Sequence, residues 1–453
     1  MEIQNGHKTV IQGGFAQNYL DGGAYEYGTA KVAVNYANLL TGSFNRNSTG
    51  NTTAGFGSWD SNVLPLPAPV PFSPSLGIGQ QIDAFSPSDG RAPYVIAWNI
   101  GLQRELPYNM LVSTHYVGNR ANFLPAQLNM INQLDPSFLS LGNTLGLQVT
   151  DPAAVAAGIH SPYPNFVNDF GSSATVLQAL RPYPQYANIF DNFDDTGSSL
   201  YHALQVQLEK RYTSGLSFLV TYNLSRMMSN TNSGFTSFEA TSLNKNNQKA
   251  EWSIDNNDQT NFITIAGTYE LPIGRGKQIL NNASGVMNAI VGGWQISPLL
   301  QYSSGTPIWN GSNSGGSVIV PGDPLGNNCA PCNRANVVSG VQQEFSYSNV
   351  YKGLPVLNAA AFTNPGLWVL GTAPRVLDIR NPWNLNENVS LSKHFRIGEH
   401  VRAELRMSYF NVLNRVVFGS PNTLLLTDPN FGKVINNQAN TQRQGQAQFQ
   451  VNF

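Results

Sequence analysis

Gln444-Gly-Gln-Ala-Gln-Phe-Gln-Val-Asn-Phe453, the last ten residues of the 453-residue chain, alternate polar with apolar or small side chains without a break. Successive side chains of a strand point to opposite sides. Gly445, Ala447, Phe449, Val451 and Phe453 therefore line one face, and Gln444, Gln446, Gln448, Gln450 and Asn452 line the other. At about 3.3 Å per residue and a tilt near 45°, about ten residues cross a bilayer, which is the length of this strand. A single strand of this kind also suits a water-soluble sandwich, so the rest of the chain decides between the two.

Only 11% of residues are Asp, Glu, Lys or Arg, against about 25% in soluble domains. A freely dissolved protein of this size would have an unusually uncharged surface. The net charge of −1 provides neither a basic field for nucleic acid nor an acidic tail, so nucleic acid is not an expected partner. No run of about 18 apolar residues occurs, which excludes an ordinary transmembrane helix. A membrane protein of this composition would have to be a barrel, the other architecture that satisfies its own backbone hydrogen bonds in lipid.

Further alternating segments surround the terminal one. Leu204, Val206 and Leu208 alternate with Gln205, Gln207 and Glu209, Thr213-Ser-Gly215 turns the chain, and Leu216, Phe218, Val220, Tyr222 and Leu224 return it. A second hairpin runs through Trp98, Ile100 and Leu102, a turn at Glu105-Leu-Pro-Tyr-Asn109, and Val112, Thr114 and Tyr116. A third joins Asn384–Phe395 to Val401–Tyr409 through Ile397-Gly-Glu399. Single strands are expected at Lys8–Gln17, Phe262–Leu271 and Trp294–Tyr302, giving about ten.

The connections alternate long with short or medium. The long ones lie between Asn18 and Pro93, Asn119 and Leu200, Met227 and Thr260, Ser303 and Trp383, and Asn414 and Gln442. Outer-membrane barrels have this parity, with periplasmic turns and extracellular loops. Loops of this length are uncommon in compact soluble domains. Strand one would run outward, strand ten back, and Phe453 would end in the periplasm. Tyr116, Tyr212, Tyr222, Tyr269, Trp294, Tyr302 and Tyr409 fall in or near strand ends, as for rings at headgroup level. The expected fold class is all-β, an antiparallel transmembrane β-barrel, partial at about ten strands, with long extracellular loops and short periplasmic turns.

Catalytic patterns are scarce. His7, His115, His160, His202, His394 and His400 are scattered without metal-ligand spacing and are expected as lumen-facing or interfacial polar groups. Cys329 and Cys332 stand in a Pro- and Asn-rich loop, where a small local disulfide is expected. A redox motif would need a βαβ neighbour, and a zinc site two more ligands. Gly274-Arg-Gly-Lys277 lacks the remaining phosphate-loop positions and is read as a turn. Asp191-Asn-Phe-Asp-Asp195 and Asp255-Asn-Asn-Asp258 offer oxygen ligands for calcium, but neither follows the helix–loop–helix pattern, and solvated loop charges are the preferred reading. No catalytic, cofactor-binding or metal residue is nominated, no cofactor is expected, and the chain is not expected to be an enzyme.

Several segments resemble one family over nearly the whole chain. Lys8-Thr-Val-Ile-Gln-Gly-Gly-Phe15, Trp98-Asn-Ile-Gly-Leu-Gln-Arg-Glu-Leu-Pro107, Tyr116-Val-Gly-Asn-Arg120 and Leu180-Arg-Pro-Tyr-Pro-Gln-Tyr186 stand in its order. So do Tyr201-His-Ala-Leu-Gln205, Tyr269-Glu-Leu-Pro-Ile-Gly274, Gly293-Trp-Gln295, Ser304-Gly-Thr-Pro307, and Phe410-Asn-Val-Leu-Asn414 leading to Phe418-Gly-Ser-Pro-Asn422. Together they resemble the carboxy-terminal barrel of Oar-like TonB-dependent outer-membrane receptors. The resemblance implies an outer-membrane location, uptake of an unknown small ligand across that membrane, and recognition of the terminal strand by the barrel assembly machinery. Such receptors also carry a signal peptide, a carboxypeptidase-regulatory-like domain, a TonB box and a plug. Met1-Glu-Ile-Gln-Asn-Gly-His7 shows no basic or apolar leader, so residues 1–453 are expected as the carboxy-terminal part of such a barrel, without plug or signal peptide. Contact with the TonB complex would depend on the missing plug. A plug-free porin-like channel and a secreted all-β adhesin or structural protein are the alternatives.

Overall fold

The structure, a computed structural model, describes residues 9–19, 77–84, 91–126, 128–191, 194–231, 233–234, 237–238, 242–309, 317–327, 333–397, 401–424, 428–435 and 438–452. Ten long strands stand where alternation is strongest. They are β1 Thr9–Tyr19, β2 Tyr94–Leu106, β3 Met110–Leu124, β4 Gly197–Thr213, β5 Leu216–Ser229, β6 Asn261–Glu270, β7 Trp294–Ser303, β8 Asn384–Ile397, β9 Val401–Phe410 and β10 Gln444–Asn452. Each pairs antiparallel with its neighbours in chain order, and Ser253–Ile254 joins beside β5 to complete an 11-stranded sheet. Among the described residues β1 pairs only with β2 and β10 only with β9, so the sheet is open.

Local chemistry sets the turns. Ser214 and Gly215, both at positive φ (53° and 83°), make the two-residue link between β4 and β5, the turn class whose twist matches paired strands. Tyr108 and Asn109, at φ 64° and 58°, close the link between β2 and β3. The short links after β2, β4 and β8 and the medium link after β6 leave one end of the sheet. The long connections after β1, β3, β5, β7 and β9 leave the other. The expected parity of the connections is present.

Register joins the individual alternations into two faces. Residues opposite each other in a ladder share a face. One such row runs Phe15–Trp98 in β1 and β2, Ile100–Tyr116–Leu204–Leu224 from β2 to β5, and Tyr222–Ile263–Tyr302 from β5 to β7. Ile296–Leu391–Met407–Ala447 and Leu405–Phe449 carry it to β10. The opposite face carries Gln205, Gln207, Thr221, Asn223, Thr264, Gln301, Ser390, Ser392, Glu404, Arg406, Gln446 and Gln448, with Leu219, Leu299 and Phe410 among the apolar side chains that interrupt it.

Burial then separates the two readings of the terminal strand. In the ten strands the buried apolar residues are three alanines, Ala121, Ala203 and Ala403, among the described residues. A sandwich would bury one whole face of large side chains. Here Phe15, Ile100, Leu102, Leu204, Leu224, Tyr409 and Phe449 stay exposed on the apolar face. Such a band is far larger than the apolar patches of soluble monomers and calls for an apolar solvent. No helix among the described residues is long and apolar enough to cross a membrane.

The hydrophobic cores lie in the long connections. Leu134, Leu145, Val149, Phe166 and Val176, from the connection after β3, pack with Leu325 from the one after β7. Ile308, Val318, Val320, Leu357, Phe362 and Leu377 form a second core with Phe431 from the connection after β9. A parallel pairing of Ile82–Ala84 with Ile189–Asp191 ties the first long connection to the second. The expected loops are thus packed caps with small helices at Pro152–Ala156, Phe166–Phe170 and Val176–Ala179.

Candidate functional site

The resembling segments near Ser304 and Phe410 meet at the long-connection end. Leaving β7, Ser304 donates its amide to the Asn261 carbonyl at 2.9 Å and accepts the Asn261 amide on its Oγ at 3.0 Å. Gly305 then passes so close to the Asn381 carbonyl that a Cβ there would collide with it. Thr306 accepts the Asn381 amide at 2.9 Å, and Tyr347 donates its hydroxyl to Asn381 Oδ1 at 3.1 Å. Burial, followed by the charge of Glu344, pushes the Tyr347 hydroxyl pKa upward, so it remains a donor.

Leaving β9, Asn411 and Asn414 adopt left-handed φ values of 48° and 52°, which asparagine tolerates better than most residues. Asn411 Oδ1 accepts the Arg415 amide at 2.8 Å, and its Nδ2 donates to the carbonyls of Arg415 and Thr441. That turn brings the Arg415 Nε within 2.7 Å of Glu387 Oε1, in β8. It also carries the chain to Phe418, whose ring meets Tyr351 edge-on at 5.1 Å.

Between these segments lies a cleft of about 290 Å³. Gln259, Ser304, Thr306, Asn381, Asn440 and Phe418 contribute to its wall, and none of its lining residues is charged. A second cleft of about 290 Å³, lined by Asn386, Asn388, Phe410, Asn411, Thr441 and Gln444, opens beside it on the polar face. Amides and hydroxyls beside an aromatic ring can exchange hydrogen bonds with a neutral polar molecule while covering its apolar patches. A larger depression of about 720 Å³ follows the polar face of β4 to β6 toward the short-turn end.

A buried ionic network fixes the connections behind the clefts. Glu251 pairs with Arg334, both almost fully buried. Arg375 donates to the Glu251 carbonyl at 3.0 Å and to the Ser229 carbonyl and Oγ at 2.7 and 2.9 Å, and Ser229 Oγ donates to Asp255 Oδ2 at 2.6 Å. Burial pulls the Arg375 guanidinium down to about 10, while Asp255 and Glu251 hold its charge in place. Arg380 donates to Asp258 Oδ2 at 2.6 Å. Further around the cap, Arg181, from the Leu180–Tyr186 run, donates to the carbonyls of Ala187 and Gly326, linking two long connections. Burial pulls its guanidinium to about 10 as well.

The two acidic clusters correct the expectation of solvated loop charges. Asp191, Asp194, Asp195, Asp255 and Asp258 are buried. Asp194 accepts the amides of Leu128 and Asn129 at 2.6 and 2.8 Å, Asp195 pairs with Arg91 at 2.7 Å, and Asp191 accepts from Asn129. Asp258 accepts from the Met227 amide and Thr260 as well as Arg380. Their oxygens bind amides and guanidinium groups, because a buried carboxylate must be paired. Asn192 and Phe193 lie outside the described residues.

The remaining residues singled out from sequence are dispersed. His115 and His394 lie on the polar face, paired in register with Gln205 and Glu404. His202 lies on the apolar face, where Tyr116 Oη meets its Nδ1 at 2.7 Å and Trp98 packs edge-on. His160 is exposed in the connection after β3; His7, His400, Cys329 and Cys332 lie outside the described residues. Tyr116, Tyr222, Tyr269, Trp294, Tyr302 and Tyr409 share the apolar face. Arg334, Arg375, Arg380 and Glu251 are silent in the sequence, since lone charges in loops carry no local signal of their distant partners.

The chain has counterparts of low sequence identity among solved structures. It is similar to the outer membrane transporter YddB from Escherichia coli at 9% identity and a TM-score of 0.35, covering 82% of this chain and 34% of that one. It is also similar to FpvAI in a complex with pyocin S2, at 8% identity and TM-score 0.31, and to P. aeruginosa FpvA bound to heterologous pyoverdines, at 8% and 0.32. Each of the latter two alignments covers 80% of this chain and 27% of the other. The chain thus spans about a third or less of the length of these structures. No curated protein matches it. The model of the outer membrane beta barrel domain matches residues 2–446, nearly the whole sequence, and the chain belongs to that family.

Proposed function

We propose that this chain is part of an outer-membrane receptor that takes up a ligand, of the Oar-like TonB-dependent kind that its sequence resembles. The observation that carries this reading is the location of the packed cores and both uncharged clefts at the one end from which every long connection leaves. A passive pore has little use for a folded cap, whereas a receptor needs a rigid surface on which to capture its ligand. In this reading the long connections face the exterior, the short turns and the Asn452 end of β10 face the periplasm, and β10 is the strand offered to the assembly machinery. The ligand is a neutral polar molecule or the neutral part of a larger one. Energised uptake would require a plug and TonB box working with this barrel.

Labelling intact cells with a membrane-impermeant maleimide tests the arrangement, using single cysteines in a Cys329→Ser/Cys332→Ser background. Ser140→Cys, in the cap, is expected to react on whole cells, and Tyr108→Cys, at a short turn, only after lysis. The reverse pattern would overturn the orientation. Labelling at neither site before lysis would overturn surface exposure of the cap. Replacing Asn381 and Phe418 with alanine is expected to weaken binding of the cognate ligand without changing membrane assembly; unchanged binding removes the clefts from the proposal.

A further inference from the structure

The medium link between β6 and β7, residues 271–293, differs from the other connections at its end of the sheet. It contains a helix, Gly285–Val291, started by Ser284, whose Oγ accepts the Met287 amide. Val286 is 77% exposed, Ile290 66% and Met287 49%. At 100° per residue these three occupy one arc of about 100°. Ile279 and Leu280, from the preceding turn, are exposed as well. The segment's charged residues are Arg275 and Lys277, and Lys277 Nζ pairs with Glu270 Oε2, at the end of β6, at 3.2 Å.

The helix is tied to the apolar face of the sheet. Trp294, opposite Lys393 in the β7–β8 ladder, donates its indole N–H to the Ile290 carbonyl at 3.0 Å. Lys393, from the same face, donates to the carbonyls of Ile290 at 3.1 Å and Gly292, with its ammonium 5.1 Å from the centre of the Trp294 ring. A cation and an indole N–H therefore satisfy the carbonyls that end the helix, where the helix dipole favours positive charge. Both side chains rise from the apolar row, so the helix is anchored to the outer face of the sheet. Asn288 Oδ1 accepts the Arg275 amide at 2.7 Å, holding the basic turn against the helix.

We propose that this link is a membrane-surface anchor: Val286, Met287 and Ile290 enter the edge of the bilayer at the short-turn end, while Arg275 and Lys277 meet anionic phospholipid headgroups. The proposal rests on the reading of the sheet as membrane-spanning. The occupant follows from three observations: continuity of the patch with the apolar face through Trp294 and Lys393, the net basic charge of the link, carried by Arg275 beyond the Lys277–Glu270 pair, and an exposed apolar arc too short for a partner helix. Basic, amphipathic segments of this kind lie in the interface plane with their apolar side buried about 5–10 Å. Held there, the helix would fix the depth of β6 and β7.

The test uses the full chain in a Cys329→Ser/Cys332→Ser background, reconstituted into phosphatidylcholine vesicles with or without phosphatidylglycerol. An environment-sensitive fluorophore is placed at Val286→Cys, Ile290→Cys, Leu391→Cys or Thr264→Cys, and quenching by lipids spin-labelled near the headgroup or deep in the chain is read. Probes at 286 and 290 are expected to be quenched by the shallow label and that at 391, on the apolar face, by the deep one; the probe at 264, on the polar face, should resist both. Arg275→Glu/Lys277→Glu should reduce shallow quenching at 286, roughly fivefold in partition per basic residue lost at low salt. Unquenched probes at 286 and 290 with a quenched probe at 391 overturn the anchor and leave the spanning sheet intact. An unquenched probe at 391 overturns the spanning reading and the anchor with it. Shallow quenching that ignores both phosphatidylglycerol and the double substitution overturns the headgroup contact.

Discussion

Glu251 and Arg334 are separated by 83 residues in sequence and face each other in a site almost closed to water. Two charges so deeply buried stabilise little as a pair, but either alone is costly. Arg334→Met is therefore expected to lose about 3–5 kcal/mol of cap stability, since Glu251 would remain charged and buried. Adding Glu251→Leu should restore part of it, because Arg375 keeps the Glu251 carbonyl and Asp255, while the Leu243 amide loses the Glu251 Oε1 that it meets at 3.0 Å. Hydrogen exchange across residues 242–260 would measure both. A proton-dependent contact lies at Asp135, which caps the 3₁₀ segment Pro136–Gly146 through the Ser137 amide at 2.9 Å. Hydrogen bonds from the Ser137 side chain, then its backbone, hold the Asp135 carboxyl below its ordinary 3.8. A depressed folded value means that the cap's contribution is complete above pH 3.8 and fades as pH falls through the lower folded value. Acid titration should thus accelerate proteolysis of this segment, and Asp135→Asn should flatten that dependence. These contacts were illegible in sequence. A buried loop arginine looks like any solvated one until its partners, 83, 124 and 146 residues distant, are brought to it.

The strands were legible because a half-lipid, half-water environment writes a period of two into every element. The link Thr213-Ser-Gly215 is found with Ser214 and Gly215 in the turn, and Lys8–Gln17 begins within a residue of the observed Thr9. The faces have a direct test in adjacent residues of β5. Val220 stands between Leu208 and Ile265 on the apolar face, and Thr221 between Gln207 and Thr264 on the polar one. Val220→Arg is expected to cost about 2–4 kcal/mol in lipid, where a lipid-facing cation near mid-depth must be desolvated. Thr221→Arg should be close to neutral. Urea unfolding from vesicles measures both, and equal costs would contradict the assignment of faces. The helix Gly285–Val291 is not legible in the sequence, since seven residues give too few turns for a 3.6 period to declare itself beside the turn signal of Gly274-Arg-Gly-Lys277. The small helices after β3 were hidden in the same way, within a connection that alternation could identify only as something other than strand.

At the scale of the molecule, the sheet and the cap answer to different solvents. The ten strands hold each other through backbone ladders, and their large side chains need lipid or detergent on one face. The two cores of the cap are each built from short segments and bury their apolar side chains from water in the ordinary way. Side-chain links join the parts, among them Arg375 to Ser229 at the end of β5 and Arg415 to Glu387 in β8. Small cores have little stability to lose, whereas backbone bonds in an apolar medium have no competing water. Heating in detergent should therefore give two transitions. The first removes near-ultraviolet signals and opens the cap to protease, with Trp252, Trp309 and Trp368 among the reporters in the long connections. The second, at higher temperature, removes the β signal in the far ultraviolet. Arg375→Met, which cuts the tie to β5, should lower the first transition and leave the second in place. A single transition in which all signals vanish together would mean that the cap is an integral part of the wall, and Arg375→Met would then lower the β signal's melting temperature as well.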